Sequence, residues 1–214
     1  MGYRFGGSLT DWRGHSAEGK TIDFGPGFTL GLSWTFQINS ELVFQPELDL
    51  SMKKVRLNYA YHIGSGALGF EETATLYYLE LPILIKLPFQ WRETSSSSVY
   101  LGAVWAFSLG GRRSGHYTST LDNITSGGFS GSIGNAETFD FGVVVGWDHH
   151  FGRSDKRYVI DLRFILGLKS VFADVDAPNE IPEDQFPYCD PITGEASEFR
   201  SGTLVLSLGF DSPR

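Results

Sequence analysis

The sequence predicts an all-β protein, an eight-stranded antiparallel up-and-down transmembrane β-barrel with both termini in the periplasm. Eight stretches alternate apolar and polar residues at a period of two, which is typical of strands with one apolar face. The connections between these stretches alternate long and short, as they do in bacterial outer-membrane barrels. We expect residues 1–214 to form this one barrel domain.

The alternation is clearest in residues 24–38, where every even position carries an apolar side chain or Pro26 and the odd positions are small or polar. The predicted strands are 3–11, 23–38, 41–59, 75–89, 99–110, 137–151, 157–169 and 199–210. The long connections are 13–22, 60–74, 111–136 and 170–198, and the short ones are 39–40, 90–98 and 152–156. Residues 39–40 are expected to form a two-residue hairpin turn. Pro82, on the polar face, is expected to cause a bulge or a local break.

Composition and charge further limit the classes of protein to which this chain can belong. The net charge of −8 argues against a nucleic-acid partner. No run of 18 apolar residues is present, so no transmembrane helix is predicted. The mean hydropathy of −0.11 does not contradict a barrel, because alternation dilutes the signal of transmembrane strands. No signal peptide is visible after Met1, so we expect the chain to be the mature form.

Two arrangements of the faces are possible, since a lipocalin-like barrel turns its apolar face inward. Here the apolar face is almost continuously bulky, and eight strands would not hold those side chains in the lumen. The polar face carries glycines and charges, which suit a narrow polar lumen. The predicted lumen charges are Glu47, Asp49, Lys53, Glu80, Lys86, Asp140, Asp148, Asp161, Arg163 and Lys169.

These lumen charges have two interpretations. One is a structural network of ion pairs that fills the barrel, because buried charges need partners. The other is a path for protons or ions, for which eight strands leave little room. In a network, the expected partners of Lys86 are Glu47, Asp49, Asp140 or Asp161. Those of Glu80 are Lys53, Arg163 or Lys169.

Three stretches resemble one family. Residues 78–86, YLELPILIK, are similar to a strand of the PorT-like outer-membrane β-barrel domains, and residues 44–48 and 139–146 resemble two further strands of that family. The resemblance implies an eight-stranded outer-membrane barrel of Bacteroidetes type. The family's namesake is an accessory component of type IX secretion, which makes secretion a candidate role.

No motif for a phosphate loop, a metal-dependent hydrolase or a serine hydrolase is present. Asp148 and His150 share the lumen face, which suggests either an acid–histidine pair of a barrel enzyme or an interfacial pair. His15, His62 and His116 lie in three predicted loops, where a shared metal is one interpretation and ordinary surface histidines are the other. We predict no cofactor and no metal.

The loop 170–198 contains eight acidic residues and no Lys or Arg. It is either a solvated loop or a docking surface for a partner, bridged by cations to lipopolysaccharide or bound to an envelope protein. The residues of the docking interpretation are Asp174, Asp176, Glu183, Asp184, Cys189 and Asp190. The loop 111–136 is expected to be flexible, because 14 of its 26 residues are Gly, Ser or Thr.

The leading functional hypothesis is a non-enzymatic outer-membrane anchor or scaffold, an accessory subunit of an envelope or type IX secretion assembly. Its expected partners are outer-membrane lipid, lipopolysaccharide and other envelope proteins. The alternatives are a lipid-modifying or proteolytic barrel enzyme, which would use the Asp148 and His150 end or the outer loops, and a narrow solute channel.

Overall fold

The computed structural model describes residues 1–13, 21–63, 66–92, 95–120, 125–133, 138–153, 156–168 and 200–211. Every regular element in these ranges is a β-strand. No described segment is a helix long and apolar enough to cross a membrane. The strands are β1 (Gly2–Arg13), β2 (Thr21–Ser33), β3 (Phe36–Gln37), β4 (Val43–Ile63), β5 (Gly66–Arg92), β6 (Ser95–Ser119), β7 (Thr125–Ser132), β8 (Phe139–Arg153), β9 (Lys156–Gly167) and β10 (Arg200–Asp211).

Eight of these strands form a closed antiparallel ring in the order β1, β2, β4, β5, β6, β8, β9 and β10. The ring closes where β1 pairs with β10 along its whole length, from Gly2 opposite Asp211 to Arg13 opposite Arg200. Closure matters because it leaves no unpaired strand edge in the ring. The predicted eight-stranded barrel is therefore confirmed.

The two faces of the ring differ as predicted. On β5 the outward positions from Tyr77 to Phe89 are apolar, and all but the partly exposed Leu79 are 36–52% exposed, whereas the intervening residues from Tyr78 to Lys86 are buried. This stretch covers about 40 Å of strand, or about 30 Å of height at a tilt of about 40°. Such a height is enough to cross the apolar band of an outer membrane, about 25 Å.

Aromatic rings border this apolar surface at both ends. At one end, Tyr158 contacts Phe151 and Phe210, with ring centroids 5.8 and 6.1 Å apart. Towards the other end, Phe107 lies 5.4 Å from Phe139. Aromatic girdles at this spacing are typical of membrane barrels. We call the end where Gly2 pairs with Asp211 the turn end, and the opposite end the loop end.

At the turn end, three predicted boundaries are wrong by a few residues. The hairpin turn covers residues 39–41, because Ile38 N–H donates to the Leu42 carbonyl and Asn39 Oδ1 accepts from the Glu41 N–H (2.8 Å). The predicted strand 23–38 is interrupted between Ser33 and Phe36. In the predicted connection 90–98, strand pairing continues to Arg92 opposite Ser95.

At the loop end, two predicted loops are largely strand. β4 and β5 remain paired up to Ile63 opposite Gly66, within the predicted loop 60–74. β6 extends to Ser119 and pairs with β7, within the predicted loop 111–136. The paired segments 54–63, 66–77 and 110–119 together with β7 form a four-stranded sheet, which we call the projecting sheet.

The composition of residues 111–136 predicted a flexible loop, and this prediction was wrong for the paired residues. Two of the glycines make room for aromatic rings from the neighbouring strand. A Cβ at Gly127 would lie 2.6 Å from the Tyr117 ring, and a Cβ at Gly115 would lie 2.7 Å from Phe129 Cζ. Phe70 contacts both rings, with centroids 6.4 Å from Tyr117 and 6.5 Å from Phe129. Packing of this kind stabilises a glycine-rich hairpin.

Candidate functional site

The candidate site is the charged interior of the barrel. The predicted lumen residue Lys169 lies outside the described residues. Every other predicted lumen charge is buried, with an exposed fraction of 6% or less. These residues are Glu47, Asp49, Lys53, Glu80, Lys86, Asp140, Asp148, Asp161 and Arg163.

The centre of the interior holds a cluster that crosses the barrel. Arg4 forms a two-pronged ion pair with Glu47 and donates to Asp49 at 2.9 and 3.0 Å. Arg163 donates to Glu47 at 2.8 Å and to Asp161 at 2.7 and 2.9 Å. Since β4 and β9 are opposite each other in the ring, the contact between Glu47 and Arg163 spans the lumen.

Sequence reasoning missed Arg4, although its signal was present. Arg4 lies between Tyr3 and Phe5, which are 53% and 63% exposed, while Arg4 itself is 8% exposed. The alternation rule therefore places its side chain inside. Gly31 makes room for this side chain and its partner, because a Cβ there would lie 2.0 Å from Asp49 Oδ1 and 3.2 Å from Arg4 Nε.

Tyr100 links the cluster to the apolar part of the interior. Its hydroxyl donates to Asp161 at 3.0 and 3.1 Å. Its ring lies 5.1 Å from Lys86 Nζ and 5.7 Å from Arg163 Cζ, within the range of cation–π contacts. Tyr100 also belongs to a buried apolar cluster with Leu84, Val104, Val144, Ile165 and Val205.

The observed partner of Lys86 is Asp148, so the four partners expected for Lys86 were wrong. The reason lies in the pairing of β6 with β8, which sets Asp148 opposite Ser98 at the turn end. Asp148 Oδ1 also lies 3.4 Å from His150 Nε2, and His150 Nδ1 lies 3.1 Å from Asp211 Oδ2. The two acids hold the imidazole between them.

Glu80 has one of its expected partners, because Lys53 Nζ lies 2.6 Å from Glu80 Oε1. Lys53 Nζ also lies 4.9 Å from the centre of the Tyr78 ring. Asp140 accepts a hydrogen bond of 2.7 Å from the Phe141 N–H. The network thus has three parts along the barrel axis, around Lys53, Arg163 and Lys86.

The described residues provide no catalytic constellation around His150. No hydroxyl or thiol hydrogen bonds to His150 within the described part of the chain. The neighbouring His149 contacts Ser97 Oγ at 2.8 Å, but Ser97 is only 1% exposed. The His149 ring stacks between Trp147 and Phe151 on the outward face, with centroids 5.9 and 6.1 Å away. These contacts are those of an aromatic girdle.

The predicted metal and docking residues are only partly described. His15 and the side chain of His62 lie outside the described part, and His116 is exposed on β6. Within the described ranges no three potential ligands come together around a metal position. The whole predicted docking loop lies outside the described residues, namely Asp174, Asp176, Glu183, Asp184, Cys189 and Asp190.

Comparisons with known proteins identify a family and several solved structures of low sequence identity. The family model for the outer membrane protein beta-barrel domain matches residues 1–173. No curated protein matches the chain. Similar solved structures include Ail, the attachment invasion locus protein of Yersinia pestis (13% identity, TM-score 0.33, covering 98% of this chain and 95% of Ail).

Neisserial surface protein A is another similar structure, with 12% identity and a TM-score of 0.39 over 97% of this chain and 94% of that protein. An outer membrane channel from Pseudomonas putida F1 has 12% identity and a TM-score of 0.27 over 98% of this chain and 92% of the channel. At these values no residue role transfers from those proteins. The match to the family model covers most of the chain, so this protein belongs to the outer membrane protein β-barrel domain family of the bacterial outer membrane.

Proposed function

We propose that this barrel is a non-enzymatic anchor that fixes the projecting sheet at the surface of the outer membrane. The observation that carries the proposal is the ion pair between Glu47 and Arg163, which crosses the lumen at 2.8 Å. A direct contact across the diameter leaves no passage for a solute at that level. The interior cavity beside Arg4, Asp49 and Glu80 has a volume of about 10 Å³, which is about the space of one water molecule.

The apolar cluster around Leu84 and Tyr100 supports the same function, because it fills the interior beside the charges. A filled interior suits a barrel whose role depends on its surfaces rather than on transport. We place the turn end, with both termini, in the periplasm and the loop end outside the cell, because outer-membrane barrels have short periplasmic turns and longer outer loops. In this orientation the projecting sheet is presented outside the membrane.

The proposal extends to the family group of the barrel and to the envelope proteins that it contacts. Membership of the PorT-like group, and with it an accessory role in a type IX secretion or other envelope assembly, rests on the similarity of residues 44–48, 78–86 and 139–146. Purification of the tagged protein from native envelopes under mild detergent is the test. Recovery of secretion subunits in fixed proportion supports the accessory role, and recovery of the barrel alone contradicts it.

Conductance measurements test the anchor function itself. The purified full chain, reconstituted in planar bilayers, is expected to give no current steps above the lipid background, with a general porin as the positive control. Liposomes containing the protein are also expected to show no hydrolysis of their phospholipids. Reproducible current steps would favour the channel alternative, and lipid hydrolysis would favour the enzyme.

A further inference from the structure

The outward face of the projecting sheet changes abruptly from apolar to polar. On β4, β5 and β6 the large apolar outward residues that precede the first cationic row are Met52, Tyr77 and Leu109. The next outward row consists of Lys54 opposite Thr75, Thr75 opposite Arg112, and Arg112 opposite Ser132. Since Met52 and Tyr77 mark the edge of the apolar surface, this row lies where the hydrocarbon of the membrane gives way to lipid headgroups.

The outward direction of this row follows from the burial of its neighbours. Lys53 and Val55 are 4% and 0% exposed and flank the partly exposed Lys54. On β6, a Cβ at Gly111 would lie 2.5 Å from the buried Leu76 side chain. Gly111 therefore faces inward and the exposed Arg112 faces outward.

The row from Lys54 to Ser132 contains two cations, Lys54 and Arg112, and the next outward row contains a third, Arg56. Lys54 and Arg112 are separated by one strand, so their Cα atoms are about 10 Å apart at the usual strand spacing. The next outward row runs from Asp23 through Arg56, Thr73 and Ser114 to Ser130. The Asp23 carboxylate accepts a hydrogen bond from Asn58 Nδ2 at 3.2 Å. None of the three cations forms an ion pair within the described part of the chain. In a chain with a net charge of −8, a row of unpaired cations at the membrane boundary indicates an anionic ligand.

A groove lies directly beyond these cations. It has a volume of about 550 Å³ and is lined by polar side chains from all four strands, among them Arg56, Asn58, Glu71, Thr73, Ser114 and His116. All six belong to outward positions of two consecutive rows. Amide, hydroxyl, carboxylate and imidazole groups provide both donors and acceptors, which is the chemistry needed to bind sugar hydroxyls.

We propose that this surface binds the phosphorylated disaccharide headgroup of lipopolysaccharide in the outer leaflet. Lys54 and Arg112, with Arg56 above them, bind a lipid A phosphate through charge-assisted hydrogen bonds. The polar groove binds the attached sugars. The inference rests on the proposed function in one respect, the placement of the loop end outside the cell.

Lipid titration of the full-length protein in detergent micelles tests this inference. The ligands are bisphosphorylated lipid A, its dephosphorylated form and phosphatidylglycerol, and binding is followed by native mass spectrometry. The wild type is expected to bind bisphosphorylated lipid A about tenfold more tightly than either other lipid, as expected for charge-assisted contacts to phosphate. The Lys54→Gln/Arg112→Gln double variant is expected to bind bisphosphorylated lipid A about tenfold more weakly than the wild type does.

Arg113→Gln is the matched control. Arg113 is exposed and adjacent to Arg112 in sequence, but it pairs with the buried Ala74 and so lies on the other face of the sheet. The Arg113→Gln variant is expected to bind bisphosphorylated lipid A as tightly as the wild type does. The shift in gel mobility between unheated and boiled samples shows whether each variant is folded. If the double variant does not fold, the comparison of the two lipid A forms on the wild type still decides the proposal.

Equal binding by wild type and double variant would overturn the proposal, as would equal binding of the two lipid A forms. Equal binding of phosphatidylglycerol would show recognition of any lipid phosphate and would overturn the assignment to lipopolysaccharide. These outcomes are distinct from failure of the anchor function, because a conducting barrel contradicts the anchor whatever its lipid preference.

Discussion

Arg163 Nη1 donates a 2.8 Å hydrogen bond to Glu47 Oε2 from the opposite wall of the barrel. Both residues are buried, with exposed fractions of 3% and 2%. Arg4 binds the same carboxylate, so Glu47 joins β1, β4 and β9 at one point. This shared carboxylate is the centre of the interior network.

Replacing Glu47 by alanine is expected to destabilise the barrel by about 3–5 kcal/mol, because it leaves Arg4 and Arg163 partly uncompensated in a buried site. The free energy of unfolding is measured by urea titration in lipid vesicles. Glu41→Ala is the control, since Glu41 is exposed in the turn 39–41, and a change of at most about 0.5 kcal/mol is expected there. A similar small loss for Glu47→Ala would mean that the network contributes little to stability.

The pairing of Lys86 is tested by a double-mutant cycle. Lys86→Ala and Asp148→Ala are expected to show a coupling energy of about 0.5–3 kcal/mol, because the two side chains are in direct contact. The cycle of Lys86 with Asp140, a partner considered from sequence, is expected to give about zero. Coupling to Asp140 and none to Asp148 would contradict the observed register of β8.

The outward face is tested by placing arginine in the apolar surface. Ile83 and Val145 lie near the middle of their apolar stretches and are 36% and 51% exposed. An arginine at either position is expected to cost about 2–4 kcal/mol in the membrane. The measurement is the fraction of protein that inserts into vesicles and runs as the heat-modifiable form, with Glu41→Arg as the control outside the membrane. Normal insertion of both variants would show that these residues do not face lipid.

The strands of the barrel followed from the sequence, because a period of two is visible wherever one face is apolar. The projecting sheet did not, because its glycines resemble those of a flexible loop until the aromatic partners across the strands are known. Asp148 was assigned to the lumen correctly, but its pairing with Lys86 depends on the stagger between strands, which a single sequence does not encode.

Pro82 is a further position at which the sequence alone left two structural outcomes open. A bulge or a local break was expected, and the structure has the break without a bulge. Pairing between β4 and β5 is interrupted between Pro46 opposite Ile83 and Asp49 opposite Glu80, with the register unchanged. The missing N–H of proline explains the gap. The bulges occur elsewhere, at Phe24–Phe28, Tyr77–Tyr78 and Gln90–Arg92.

The glycine packing of the projecting sheet gives a further prediction. In Gly115→Val the new Cβ would lie 2.3 Å from the Glu71 carbonyl oxygen and 2.7 Å from Phe129. This overpacking is expected to cost about 1–3 kcal/mol locally and to speed trypsin cleavage at Arg112 or Arg113. Gly131→Val is the control, because the nearest atom to its Cβ is 3.8 Å away. Equal cleavage of the two variants and the wild type would contradict the aromatic packing.

The most direct test of the closed interior is the reactivity of single cysteines inside the barrel. Val104 and Val144 are 3% and 0% exposed, and each is replaced by cysteine in a Cys189→Ser background. A water-soluble sulfonated methanethiosulfonate is added to the protein in vesicles, with Ser130→Cys on the projecting sheet as the reactive control. We predict that both interior cysteines stay unmodified until the protein is denatured. Modification of either one at the rate of Ser130→Cys would show a water-filled lumen and would contradict the anchor function.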